Sequence, residues 1–217
     1  MAQYFSVHPT HPQPRLIGRI ADVVRDGGVI AYPTDSSYAL GCQVGNASAV
    51  DRIRRIRAVD DKHFLTLVCR DLSEIAHYAR VEDWQYRLLK RGTPGGYTLI
   101  LRATRQVPRR LLHPKRQAIG IRIPDHPVAL ALLRELDEPL LSSTLILPGQ
   151  ATPLSDPEEI REALDKPLDA IIDAGICAGG ATTVLDLVSE APALIRQGRG
   201  ELAVLGLQGL EKADLLE

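Results

Sequence analysis

Tyr32-Pro33-Thr34-Asp35-Ser36-Ser37-Tyr38-Ala39-Leu40-Gly41 is the stretch on which the reading of this chain turns. Ahead of it, Gly28-Val29-Ile30-Ala31 is short, β-branched and bounded by glycine, the pattern of a buried strand. Pro33 cannot donate to a sheet ladder and disfavours helix at Tyr32, so the strand is expected to break there. Four small polar residues, Thr34 to Ser37, then stand at the strand's carboxyl end, where open α/β sheets bind ligands. Hydroxyls and freed backbone N–H groups suit a phosphate or a carboxylate. The same residues also make an ordinary Asx or Ser turn, and these positions alone do not decide between the two.

Working outward, Leu16, Ile17, Ile20, Val23 and Val24 recur at helical spacing after Pro14, with Gly27 placed to end the helix. On the other side, Val50, Ile53 and Ile56 form one helical face. Arg52, Arg54, Arg55 and Arg57 occupy the rest of the circumference, with Asn46 or Ser48 as N-cap. Arginine near a helix C-terminus complements the dipole, but four in six positions exceed that role. Strands are expected at 64–69, 97–102, 119–123, within 139–149, and at 168–173, 182–187 and 193–196. Helices are expected from Asp71 to Ala79, around Trp84, Leu88 and Leu89, from Pro127 to Leu136 with Asp125 as cap, and after Asp156. The strand within Pro139–Gly149 carries Ser142, Ser143 and Thr144 in its middle, a second hydroxyl cluster. The strand at 119–123 carries Arg122 among apolar residues. That arginine either meets an anion or pairs with a core carboxylate.

The chain is 217 residues long, 45% hydrophobic and 24% charged, an ordinary globular composition. No apolar run approaches ~18 residues and the N-terminus lacks a signal-peptide pattern, so no membrane association and a cytoplasmic location are expected. Cys42, Cys69 and Cys177 are scattered, which argues against a disulfide framework or a zinc site. The net charge of −1 conceals an asymmetry: residues 84–124 hold ten Lys or Arg and no Asp or Glu, while residues 125–217 hold six basic and seventeen acidic side chains. Such a block attracts anionic small molecules or polyanions, unless it is simply a solvated face. There is no P-loop, no dinucleotide fingerprint and no nucleophile elbow. No linker divides the chain; one α/β domain over residues 1–207 and a C-terminal tail at 208–217 are expected.

In this order, Tyr32 to Gly41, Arg55-x-Arg57 followed by Lys62, Gly96-Tyr-Thr-Leu-Ile-Leu, Ile121-Arg-Ile-Pro, Leu141-Ser-Ser-Thr and Thr182-Thr-Val-Leu-Asp-Leu resemble the YrdC-like family. That family holds the threonylcarbamoyl-AMP synthases of tRNA modification and the YciO proteins. Phe5-Ser-Val-His-Pro, Val107-Pro-Arg-Arg-Leu-Leu and Ser155-Asp-Pro-Glu-Glu-Ile favour the YciO branch. The resemblance implies a twisted mixed sheet with flanking helices and an open, concave, basic face that holds ATP and L-threonine. It implies that a threonine-derived carbamate attacks the α-phosphate of ATP, with magnesium accompanying the nucleotide. Carried over by position, Arg55, Arg57 and Lys62 would hold phosphates or the carboxylate. Thr34, Tyr38, Thr98 and Arg122 would line the substrate pocket, and Ser142, Ser143, Thr144, Thr183 and Arg196 would contact the nucleotide or its rim. No metal-ligating residue is implied.

Two departures stand out. Arg55 replaces the lysine of the synthases' Lys-x-Arg, and Ile146 replaces the asparagine of their Ser-x-Asn. Arginine keeps the charge but not the compact ammonium, and isoleucine removes an amide donor and acceptor. Three readings follow: an ATP-dependent nucleotidyl transfer of weak or altered activity, binding of tRNA or double-stranded RNA by the basic face, or a non-catalytic binder of a small anion.

Overall fold

The computed structural model describes residues 1–60, 63, 65–112 and 116–213. Lys62 therefore lies outside the described residues, as do Phe64 and Lys115. In chain order the elements are β1 (Gln3–Ser6), α1 (Pro14–Arg25), β2 (Ile30–Pro33), β3 (Tyr38–Gln43), α2 (Ala47–Arg57), β4 (Thr66–Val68), α3 (Leu72–Tyr78) and α4 (Asp83–Gly92). They continue with β5 (Tyr97–Arg102), a 3-10 turn (Arg109–Leu111), β6 (Ala118–Arg122), α5 (Pro127–Leu136), β7 (Leu140–Thr144) and α6 (Pro157–Leu164). Last come β8 (Ala170–Asp173), β9 (Thr183–Asp186), β10 (Ala193–Arg196) and α7 (Leu202–Leu205).

Among the described residues ten strands form one mixed sheet, ordered β1-β8-β2-β3-β7-β4-β6-β5-β9-β10. Parallel pairs join β1 to β8, β8 to β2, β4 to β6 and β5 to β9; the other neighbours are antiparallel. The mixed sheet with flanking helices agrees with the sequence reading. Several helix starts do too: Asn46 caps α2 by accepting from the Ala49 N–H at 3.1 Å, Asp71 caps α3 and Asp156 caps α6. One start is corrected. The cap of α5 is His126, not Asp125, with Nδ1 accepting from the Val128 N–H at 3.3 Å.

Strand side chains alternate between faces, and the two faces are covered unequally. Leu40, Leu67, Leu99, Leu101, Ile119, Ile121, Leu141 and Leu185 belong to one large core, which also takes in residues of α2, α3, α4, α6 and α7. The opposite face carries a second core built from Ile30, Tyr32, Ala39, Val68, Leu140, Ala170 and Ile172 against α1 and α5. The strand residues packed against those two helices come from β1, β8, β2 and β3 and from one end of β4 and β7, at Val68 and Leu140. Farther along, the same face of β4, β6, β5 and β9 presents Thr66, Gly120, Arg122, Thr98, Ile100 and Val184, which lie outside that core and line a hollow instead. That part of the face is the floor of the site.

Candidate functional site

The floor opens into a cavity of about 360 Å³ lined by Arg57, His63, Thr66, Thr98, Ile100, Gly120, Ser143, Thr144, Ile146, Thr182, Val184, Ile195, Arg196 and Lys212. It continues into a recess of about 20 Å³ that reaches Tyr32, Thr34, Arg122 and Ser142 and shares Thr66, Thr98, Ser143, Thr144 and Thr182 with it. Thr34, Arg57, Arg122 and Ser142, expected to converge, do line one continuous hollow. No Asp or Glu lines it among the described residues.

Polar residues occupy floor positions that a fully covered sheet would give to apolar ones. Thr98 and Thr182 hydroxyls meet at 2.9 Å. Arg196 donates from Nε to the Thr182 carbonyl at 3.1 Å and from Nη2 to its hydroxyl at 3.3 Å. Arg57 donates to the Ser143 hydroxyl at 3.3 Å and to the Thr144 carbonyl, while its buried Nε has no partner. Burial, with a lesser contribution from Arg196, pulls the Arg57 pKa below its ordinary value. Burial, then Arg122, does the same to Arg196. Cations held close together and partly out of water favour the arrival of an anion. His63, at the same wall, is shifted down chiefly by burial and then by Arg57, so its imidazole stays neutral near pH 7.

The first hydroxyl cluster is a closed turn between β2 and β3. The Thr34 hydroxyl accepts from the Ser36 and Ser37 N–H groups at 3.2 and 3.3 Å and donates to the Ser37 carbonyl at 2.6 Å. The backbone donors expected to be free for a phosphate are thus occupied, as in a Ser/Thr turn. The carboxylate of that turn, Asp35, accepts from Arg122 at 2.6 Å and from the Asp125 N–H at 3.0 Å. Arg122 is only 7% exposed. Of the two alternatives for this arginine, it is the carboxylate that meets it, although its buried Nε remains without a partner. Burial pushes the Tyr32 phenol up to about 12, so it stays protonated beside the Ser142 hydroxyl at 2.9 Å.

Three expected site residues point elsewhere. Tyr38 is fully buried in the opposite core and donates to the Gly175 carbonyl at 3.0 Å. Thr183 donates to the Gly200 carbonyl at 2.6 Å; its neighbour Thr182 lines the cavity instead. Arg55 is exposed, its Nε donating to the Asp51 carbonyl at 3.4 Å. The arginine cluster of α2 is in fact dispersed: Arg52 pairs with Asp169, Arg54 lies 4.0 Å from Asp51, and only Arg57 enters the cavity. Thr66, Thr182 and Val184 were missed, though each follows the alternation that singles out Thr98. Lys212 had no local signal.

The family model Sua5_yciO_yrdC, described as telomere recombination, matches residues 22–198. YciO of Escherichia coli (strain K12) is 50% identical over 202 residues, covering 93% of this chain and 98% of that protein. Its crystal structure superposes with a TM-score of 0.92 over 94% of this chain and 100% of that one. Threonylcarbamoyl-AMP synthase of Bacillus subtilis (strain 168) is 30% identical over 184 residues, which are 84% of this chain and 53% of the synthase. The crystal structure of P. abyssi Sua5 complexed with L-threonine shares the fold at 24% identity, with a TM-score of 0.88 over 96% of this chain and 62% of that one. Matched over most of its length by the family model and 50% identical to YciO over 93% of its residues, the chain belongs to the Sua5/YciO/YrdC family.

Proposed function

We propose that the hollow binds ATP together with L-threonine and that the chain performs adenylyl transfer of the threonylcarbamoyl-AMP synthase type, with nucleotide binding kept more fully than synthesis. The observation that carries the reading is the lining: Arg57 and Arg196 stand among threonine hydroxyls, and no described Asp or Glu lines the hollow with them. Ile100, Val184 and Ile195 supply an apolar surface beside those cations, the pairing a nucleotide's base and phosphates require. Kinship with the Bacillus subtilis synthase supports the reaction class.

In the reaction a carbamate oxygen, on threonine's carboxylated amine, bonds to the α-phosphorus. The bond from that phosphorus to the bridging oxygen breaks, and pyrophosphate leaves with the electron pair. Such chemistry needs positioning and charge neutralisation more than covalent help. Arg57 and Arg196 neutralise the phosphates, while Thr98 and Thr182 fix their approach. Magnesium would come with the nucleotide as part of the substrate and would supply shielding of the leaving group's charge; among the described residues no three His, Cys, Asp or Glu side chains gather to hold a metal.

Ile146 is the departure expected to slow synthesis. It lines the cavity with carbon where the synthases' amide would hydrogen-bond, and a site losing such a contact loses up to the order of 10⁴-fold in discrimination. Incubation with ATP, L-threonine, bicarbonate and magnesium is expected to release pyrophosphate slowly, and faster in Ile146→Asn. No release above an Arg57→Ala control would overturn the synthase reading.

A second reading is RNA binding, favoured by one observation. Arg80, Arg102, Arg105 and Arg109 surround a depression of about 700 Å³ and an adjoining one of about 460 Å³, with Arg116, paired to Asp186, at its wall. Arg102 follows Thr98 and Ile100 on the same face of β5, about 13 Å beyond Thr98 at ~3.3 Å per residue. With few aromatic side chains to stack bases, contacts would be to backbone phosphates. Filter binding of duplex RNA across a salt series is expected to steepen with each arginine retained, Arg102→Ala lowering the slope by about one. A salt-insensitive or absent signal removes this reading.

A further inference from the structure

We propose that Lys212, delivered by the C-terminal segment, is a phosphate-binding residue of the hollow; this rests on the nucleotide reading above. The segment is fixed in place rather than merely adjacent. After α7, Gly206 takes a left-handed φ of 74° and turns the chain. Leu205 is buried, its Cδ2 only 2.9 Å from where a Cβ on Gly92 would lie, and Leu207 and Leu210 pack on the large core. The chain then runs parallel to β10 through a bridge between Leu194 and Lys212, and the Ala213 N–H donates to the Leu194 carbonyl at 2.8 Å. This bridge meets the edge of β10 at Leu194 and places Lys212 at the wall holding Arg57, His63 and Arg196.

The chemistry of the position is that of a mobile cation. Lys212 is exposed at the cavity mouth and forms no ion pair with a described residue. Arg57 and Arg196 are anchored by hydrogen bonds to Ser143, Thr144 and Thr182, so their forks have little freedom to follow a moving charge. A lysine on a flexible four-carbon stem has that freedom and acts as a point charge. Lys212 thus supplies the cation that meets the terminal phosphates at the mouth, while the two arginines hold those deeper in.

Calorimetry on the full chain tests this with three probes: magnesium-ATP, inorganic pyrophosphate and adenosine. Lys212→Gln, which keeps the stem and removes the charge, is expected to weaken ATP and pyrophosphate by about tenfold at low salt and leave adenosine unchanged. Lys212→Arg is expected to restore most of the loss, which a purely structural role for the segment would not produce. Equal ATP and pyrophosphate affinities in wild type and Lys212→Gln would overturn the proposal alone. A wild-type chain that binds neither ATP nor pyrophosphate would overturn it together with the nucleotide reading.

Discussion

At position 126 an imidazole takes the place expected of Asp125. Because Nδ1 accepts the Val128 N–H, the ring must be neutral to cap α5. Burial, only partly offset by Asp35 and Asp125, holds its pKa below the ordinary 6.5. Below about pH 6.5 the unfolded chain therefore takes up a proton that the folded chain refuses. Stability is complete above that pH and is lost as pH falls through the window beneath it. His63 shifts in the same direction. The urea midpoint is expected to drop between pH 7.5 and 5.5, and to drop less in His126→Asn, which caps at either pH. Equal slopes in the two proteins would contradict the assignment. Single residues also limited what the sequence could show: Thr182 and Thr183 are chemically alike, and a one-residue choice decides which faces the ligand.

Elements with strong local signals were legible. The apolar series of β5, the cap residues of α2, α3 and α6, and the near-uniform apolarity of α5 each needed only neighbouring residues to be read. β1 and β3 were not expected. β1 is four residues long and defined by its pairing with β8, and β3 follows the Thr34 turn so closely that the hydroxyls masked it. The hydroxyl clusters and Arg122 signalled parts of the hollow, but its shape had no local signal, since it depends on how far α1 and α5 extend over one sheet face. Gly120 on β6 shows what that floor tolerates. A Cβ there would lie 3.0 Å from Thr66 Oγ1 and 3.2 Å from Thr98 Cγ2. Gly120→Ala is expected to weaken ATP binding by about tenfold and to cost only about 1–3 kcal/mol of stability. Calorimetry and a thermal melt separate the two effects; unchanged ATP affinity would place the ligand elsewhere.

For the whole molecule, charge and fold divide the labour. The acid-free stretch 84–124 crosses the side of the hollow: Arg122 stands at the inner recess, and Arg102, Arg105, Arg109 and Arg116 at the outer depression. The acidic C-terminal third supplies Asp169, a partner for Arg52, and Asp186, a partner for Arg116, both away from the cavity lining. A hollow lined by arginines and, among the described residues, by no carboxylate is the arrangement an anionic ligand requires. The direct measurement is a magnesium-ATP titration, with and without L-threonine, of the wild type and of the Arg57→Ala, Arg196→Ala double variant. The account predicts saturable one-to-one binding in the wild type, tightened by threonine and weakened at least tenfold in the double variant. Absence of binding at millimolar ATP, or equal affinity in the two proteins, would contradict it.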